Sequence, residues 1–474
     1  MSCPSSHSGC GWVDPRVELT QKHINWDVLS TIPCKTYGVA SAHWGEFTWG
    51  GYNLVRFLHL DDAGKTIIVA RVPLCSLEGL SSEQSIVLCN RISSEVATME
   101  YVQTYTHIPI PHVIHYSAEA DGGGVGSPYI LMSKVDGVPL SSLWDDMEDD
   151  KRDEVMRQVI DIIMDLSSQR FDKIGALFKS HGVGKEAWCI RPMSYILDPD
   201  PQDTIADQIA SSATYTSCID YWLAHTNAYM QNIADGNFGA DNKPDSYAQA
   251  WFLRSLIPAF CDPSLDAKGF PLSPCDFHSQ NIMITLSESH PRIAAVIDWE
   301  SSATSPTSFF AQYPLFIVDH PAWEADHPLR SRNVRDQSVF NELIREAERK
   351  VDPEGDQSLS KAYANSLGPY LFQQCMHDPF AYSELYPQLF ALVFGEDDFS
   401  GDYYWALMTN GLLKKETQQF IHETDVWNDA LETLGVDLVR RDMSRTEFQN
   451  LVAEHSGRFT VGGRVREWLA TKES

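Results

Sequence analysis

The sequence contains no stretch of about 18 apolar residues, so no membrane-spanning helix is expected. Basic residues are scarce: 36 Lys and Arg stand against 65 Asp and Glu, a formal charge of −29. A nucleic acid needs a Lys/Arg surface to neutralise its phosphates, so none is expected as a partner. The same balance argues against docking on anionic lipid, and reads first as solubility. The opening residues, MSCPSSHSGCGW, have no basic stretch followed by an apolar one, so a secretory leader is not expected. Cys3, His7 and Cys10 lack a matching second pair and read as a tail rather than a metal site. The ten cysteines are scattered, which predicts reduced thiols in a cytoplasmic compartment. No internal repeat or low-complexity tract is present. What the sequence does have is 474 residues, 43% of them hydrophobic and 11% aromatic. That is enough for a sizeable core, in two or three domains or one two-lobed enzyme.

Periodicity changes along the chain. Residues 1–34 read as an N-terminal extension with one short amphipathic segment, VELTQKHINWDVL. Residues 35–135 read as β-rich: FTWGGYNLVRFLHL alternates about a Gly-Gly turn, DDAGK is a turn, and TIIVARVPL is a third strand. SSEQSIVLCNRISSEVATMEYVQTY has helical spacing, with Val87, Ile92, Val96 and Met99 on one side. IPIPHVIHYS and PYILMSKV are strands separated by the glycine-rich DGGGVGS. Residues 136–474 are mostly helical, beginning with DKRDEVMRQVIDIIMDLSSQ and its apolar face of Val155, Val159, Ile162, Ile163 and Leu166. The predicted outline is α+β: a small β-rich lobe, a short connection and a large α-rich lobe.

Two strands interrupt the helical region, and each is bordered by a carboxylate. PCDFHSQNIMI carries Asp276, His278 and Asn281 just before an apolar run, and IAAVIDWE ends in Asp298. Upstream lie Gly50 and Gly51 between two strands, Arg71 on the third strand, and Glu95 on the helix that follows. This order suits phosphoryl transfer. Glycines let backbone N–H groups approach a polyphosphate, having no Cβ to clash. A strand-borne cation neutralises the phosphates, and the helix acid holds that cation in place. A carboxylate and an amide oxygen are hard ligands suited to Mg²⁺, while a further Asp can orient an attacking hydroxyl and accept its proton.

DFHSQN followed by VIDWE resembles the catalytic core of the aminoglycoside phosphotransferase family, relatives of the choline kinases and protein kinases. The resemblance spans roughly residues 40–320, and the region from Phe309 onward resembles large fungal members. It implies a protein-kinase-like two-lobed fold that binds ATP with Mg²⁺ and phosphorylates a hydroxyl of a small molecule. By this match Asp276 is the catalytic base, and Asn281 and Asp298 are Mg²⁺ ligands. GGYN (Gly50, Gly51, Tyr52, Asn53) resembles the phosphate loop, VARVP the third strand bearing Arg71, and RISSEVATMEYV the helix bearing Glu95. YILMSKVDGVPL resembles the hinge, with Met132 to Val135, Lys134 among them, beside the adenine. The family's His two positions before the catalytic Asp is Pro274 here, its Gly is Cys275, and Arg71 stands where many kinases have Lys. Helices from about 200–260 and from the C-terminal third are expected to shape the acceptor pocket.

Other readings stand beside these. Gly50 and Gly51 alone are an ordinary hairpin turn, and Glu95 alone a solvated face residue. His278 reads as a loop brace, Trp299 as packing, and Glu300 as facing substrate or water. The acidic run 395–404 reads as a loop. The rival to an enzyme is a kinase-like protein that holds a nucleotide or partner without turnover. A nucleotidyl transferase is a third reading, and the lack of an Ala-Pro-Glu segment after Asp298 argues against a protein kinase.

Overall fold

The computed structural model describes residues 14–76, 81–193, 213–235, 243–274, 276–287, 290–320, 323–324, 326–377, 379–395, 414–435 and 445–472. Cys3, His7, Cys10, Cys275 and the acidic run from 396 to 404 lie outside them. The chain divides into two compact units, Met1–Ile196 with Ala267–Ala364, and Leu197–Asp266 with Asn365–Ser474.

In the first unit, five antiparallel strands run β1 (Ala42–Trp49), β2 (Asn53–Leu60), β3 (Ile67–Pro73), β4 (Val113–Ser117) and β5 (Tyr129–Ser133), in the sheet order β1-β2-β3-β5-β4. Alternation along β3 sets the two faces. Ile68, Ala70 and Val72 enter one core with Leu54, Leu58, Tyr129 and Leu131. Val69 packs instead into the core that holds Ile92, Val96 and Met99 of helix α3 (Ser82–Tyr105). Arg71 shares the parity of Val69, so the register that pairs Val55 with Arg71 aims the guanidinium at α3. The start of α3 is fixed by a capping box between Ser81 and Gln84.

The other face of the sheet is covered by a feature the sequence reading did not predict. Where one amphipathic segment is expected, two helices form: α1 (Pro15–His23) and α2 (Trp26–Tyr37). Asp14 caps α1 ahead of Pro15, Asn25 caps α2, and Gly38 ends α2 with φ 66°, a left-handed position glycine takes without a Cβ penalty. Val17, Ile24 and Leu29 are buried in the same core as β2 and β3. Leu29→Ala should therefore cost about 2–5 kcal/mol, as for a filled core position. Urea denaturation checks this, and a loss under about 0.5 kcal/mol would mean the helices only ride on the surface.

Beyond the sheet, α4 (Asp149–Ser168) buries Val155, Val159, Ile162, Ile163 and Leu166. It packs beside the hairpin of strands Ile282–Ser287 and His290–Val296 and beside helix Arg330–Val351. Val138–Pro139 adds a short third strand to that hairpin, pairing with Met283 and Ile284. Gly137 makes this approach possible: its φ is 133°, and a Cβ there would lie 2.6 Å from the Ile284 carbonyl oxygen. Phe270–Ser273 pairs with Arg170–Phe171 and Ala303–Thr304, and so delivers the chain to the Asp276 loop.

The second unit is helical, with Cys218–Asp235, Lys243–Phe260, Leu367–His377, Pro379–Phe394, Lys414–Leu434, Arg445–Glu454 and Arg464–Lys472. The KAYANSLGPYLFQQC stretch is broken after Ala364, and its two halves fall in different units. Reduced thiols are contradicted at one pair. Cys218 and Cys261 are 43 positions apart, but the first two helices of this unit return the chain on itself, and the cysteines form a disulfide with a Cα–Cα distance of 5.7 Å. Among the described residues no helix is long and apolar enough to cross a membrane. The fold is α+β, and the strands among the described residues lie in the first unit.

Candidate active site

Arg71 and Glu95 form a buried ion pair between β3 and α3. Arg71 is tied more widely than a simple pair. Its Nη2 also donates to Glu300 and lies 3.2 Å from Asp298 Oδ1. Glu300 in turn pairs with Arg91, one turn before Glu95 on α3, and accepts from Asn53 Nδ2 at 2.8 Å. Two guanidiniums thus meet three carboxylates, with the amide of Asn53 reaching in from the glycine turn. Burial works against the charge on Arg71, but the Glu95 and Asp298 carboxylates outweigh it and move its pKa up. Burial raises the Glu95 carboxyl while the Arg71 charge opposes it. Since a guanidinium keeps its proton, we take the pair as ionised at neutral pH. Burial, aided by the like charge of Arg71, pushes Arg91 down to about 10.

Arg91 and Glu300 are the members that sequence reasoning missed. No motif marks Arg91, and Glu300, expected to face substrate or water, turns inward to the cations instead. The arginine four residues before a buried helix acid was the one available signal, and it does not specify the carboxylate that arrives from Trp299–Glu300. Trp299 is buried in the core, as packing requires, and donates from Nε1 to the Val296 carbonyl at 3.0 Å.

The loop between Phe270–Ser273 and the hairpin holds the other three groups. His278 N donates to the Asp276 carbonyl at 3.1 Å, and Asn281 N to the His278 carbonyl at 3.0 Å, closing a tight turn. The imidazole accepts from Gln280 N at Nδ1, 3.1 Å, which leaves Nε2 to carry the hydrogen and donate to Asp276 Oδ1, also 3.1 Å. His278 therefore braces the loop and binds the acid. This hydrogen bond holds the Asp276 carboxyl below the usual carboxylate range, against a burial that works the other way. The side chain of Asp276 is nonetheless 56% exposed, and so open to a reactant.

Asn281 links the two acids. Its Nδ2 donates to the Asp276 carbonyl at 3.0 Å and to Oδ2 at 3.3 Å, while its backbone carbonyl accepts from Ile297 N at 2.8 Å, one residue before Asp298. With the nitrogen turned to Asp276, the amide oxygen is left for another partner. Asp298 has φ 62°, in the left-handed region that a short polar side chain tolerates at some cost, and its side chain is 39% exposed. The exposed carboxylate and the amide oxygen are hard ligands of the kind Mg²⁺ takes alongside phosphates. Among the described residues no group of three or more His, Cys, Asp or Glu is placed to hold a metal, so a cation here would have few protein ligands.

The other expected residues lie on the turn between β1 and β2 and at the end of β5. A Cβ built on Gly50 or Gly51 meets nothing within 4 Å, and both have ordinary φ, so neither turn geometry nor neighbouring atoms demand glycine there. Tyr52 is exposed on the same turn. Met132 is buried at the end of β5, and Lys134 follows it, its Nζ 3.3 Å from Asp136.

Residues 89–309 match the model of the APH family, described as a phosphotransferase enzyme family. A subtelomeric hrmA-associated cluster protein of Aspergillus fumigatus is 30% identical over 129 residues, covering 27% of this chain and 23% of that protein. Altered inheritance of mitochondria protein 9, mitochondrial, of Zygosaccharomyces rouxii is 31% identical over 133 residues, covering 26% and 20%. The chain thus spans under a quarter of the length of these relatives. Among solved structures, the GDP complex of aminoglycoside 2'-phosphotransferase-IIIa is 14% identical with a TM-score of 0.36, covering 75% of this chain and 100% of that one. A streptomycin–ATP complex of APH(2")-IIa is 12% identical with a TM-score of 0.40, covering 79% and 97%.

Proposed function

We propose that this protein transfers the γ-phosphoryl group of ATP to a hydroxyl of a small molecule, a reading supported by the match of residues 89–309 to the APH phosphotransferase enzyme family. The observation that carries the reading is Asn281, which joins Asp276 through its side chain and the Asp298 segment through its backbone. Acid, amide and second acid are thereby held in one polar cluster, with Arg71 and Glu95 bonded to its far end.

Each residue takes a role that its surroundings support. Asp276 orients the acceptor hydroxyl and receives its proton. Held below the ordinary carboxylate range, it is a weak base, so its contribution is mainly alignment. That suits a loose phosphoryl-transfer transition state, in which little covalent work falls to the protein. Asn281 and Asp298 would hold Mg²⁺, which supplies positive charge against the phosphates. Arg71, fixed by Glu95, binds phosphate bidentately in a way a lysine could not. The glycine turn admits the phosphates, and Met132 and Lys134 border the base.

The test is ADP release from ATP with a panel of hydroxyl-bearing metabolites, with Mg²⁺ and with EDTA. Acceptor-dependent release only with Mg²⁺ is expected. Binding of ATP with no transfer to any hydroxyl, amine or water would favour a nucleotide-binding protein without turnover. The metal site has its own check. Asp298→Asn keeps a side chain that tolerates the left-handed backbone but removes the charge, so it should abolish most Mg²⁺-dependent nucleotide binding. Calorimetry giving equal affinity with Mg²⁺ and with EDTA in the unsubstituted protein would rule that site out.

A further inference from the structure

Glu300 is held unusually well for a loop carboxylate. Three donors from three elements converge on it: Asn53 Nδ2 from the start of β2, Arg71 Nη2 from β3 and Arg91 Nη2 from α3. Its side chain is only 14% exposed and that of Arg91 only 10%. The donors are not exhausted by this one acid, since Nε of Arg91 is buried without a hydrogen-bond partner among the described residues. Two left-handed residues, Asp298 at φ 62° and Ser301 at φ 58°, flank Trp299 and Glu300. Backbone in that region costs energy in non-glycine residues and is found preferentially at functional and switching segments.

From this we infer that Asn53, Arg71 and Arg91 form a phosphate-binding cradle in which Glu300 is a resident, displaceable anion. The inference rests on the phosphotransferase reading for its ligand, a phosphate oxyanion of the nucleotide, but not for its geometry. Two forked guanidiniums and an amide N–H are the donor set that recognises a tetrahedral oxyanion. A phosphate presents three oxygens where Glu300 presents two, and so can also take the unsatisfied Nε of Arg91. Charge balance calls for exchange rather than addition. With Asp298 given to Mg²⁺, Arg71 and Arg91 face Glu95 and Glu300, two cations against two acids, and a phosphate entering beside both acids would leave an excess of negative charge there. If Glu300 leaves as phosphate arrives, the buried cations stay paired throughout. Arg91 is then a second phosphate-binding residue besides Arg71, and Glu300 sets the affinity by competing for both.

The experiment is calorimetric titration of the full chain with Mg²⁺–pyrophosphate, which has no base to bind elsewhere, and with Mg²⁺–ATP. Glu300→Gln keeps a hydrogen-bond acceptor but removes the competing charge, and should bind both ligands about tenfold more tightly. Arg91→Gln should bind both at least tenfold more weakly. Arg91→Lys keeps the buried charge, so it guards against a variant that fails to fold, and should fall between. Unchanged affinity in both Arg91 variants would overturn the cradle. So would Glu300→Gln weakening pyrophosphate binding in a protein with an unaltered melting curve, because Glu300 would then be a strut for the arginines. Pyrophosphate binding with the predicted shifts but no turnover on any acceptor keeps the cradle and removes the phosphotransferase reading. Turnover with an unchanged KM for ATP in Arg91→Gln does the reverse.

Discussion

Replacing Asp276 by alanine is expected to reduce turnover about 10²–10⁴-fold, the scale of a group that aligns the attacking hydroxyl and takes up its proton late, while Mg²⁺–ATP affinity stays nearly unchanged. The split follows from where its bonds go. Asp276 is hydrogen-bonded by His278 and Asn281 and has no contact with the Arg71, Glu95 and Glu300 network among the described residues. More than half of its side chain is exposed, so its loss leaves no core cavity. Asn281 keeps its bond to the backbone carbonyl at position 276 when the carboxylate is gone. The amide oxygen should therefore hold its orientation, and the stability change should stay near the 0.5 kcal/mol typical of surface positions. The measurements are kcat on the best acceptor of the panel, the ATP dissociation constant and a melting curve. A turnover loss below threefold would remove Asp276 from the chemistry. Equal losses in ATP affinity and kcat would place it with the nucleotide instead.

The meeting of Arg71 with Glu95 and of Asp276 with Asn281 could be read from the sequence because these residues sit at regular places in regular elements. Strand β3 alternates, so once Ile68, Ala70 and Val72 are given to one core, Arg71 must face the other. Glu95 adjoins Val96 on the inner side of a helix whose apolar spacing is visible. Asp276 and Asn281 are bound within one short turn, so their spacing alone carries the geometry. Other features had no such local signature. Glu300 reaches Arg71 across 229 positions, and no periodicity links a loop acid to that strand. The helices α1 and α2 are short, and their few buried residues find partners only after the sheet has formed. Cys218 and Cys261 meet because helices return the chain on itself, which spacing does not reveal. The break between Ala364 and Leu367, which separates the two units, does carry a local signal, Gly368-Pro369 in the first turn of the next helix, but the apolar spacing runs on across it.

Glu95→Ala is the second large effect, expected to destabilise the protein by about 3–5 kcal/mol, the cost of removing one partner from a buried ion pair. Three terms contribute. Nη1 of Arg71 loses its buried acceptor, which costs about 1–3 kcal/mol. The missing side chain leaves a void beside Val96 and Ile92. The Arg71 charge keeps Glu300 and Asp298, and this places the loss toward the lower end of the range. Glu95→Gln retains an acceptor and nearly the same volume, so it should lose less than half as much. Denaturant unfolding of the two variants gives the comparison. A cost under about 1 kcal/mol for alanine would mean that Glu300 alone can hold Arg71. Replacing both partners, with Arg71→Met and Glu95→Leu together, separates stability from function. Apolar substitutes for a buried ion pair are often neutral or stabilising, so the double variant should be more stable than Glu95→Ala. Mg²⁺–ATP binding should nevertheless fall at least tenfold, since no phosphate-binding cation remains on β3. Recovered stability with lost nucleotide affinity would show that the pair is kept for the ligand and not for the fold. Full affinity in the double variant would remove Arg71 from the phosphate site.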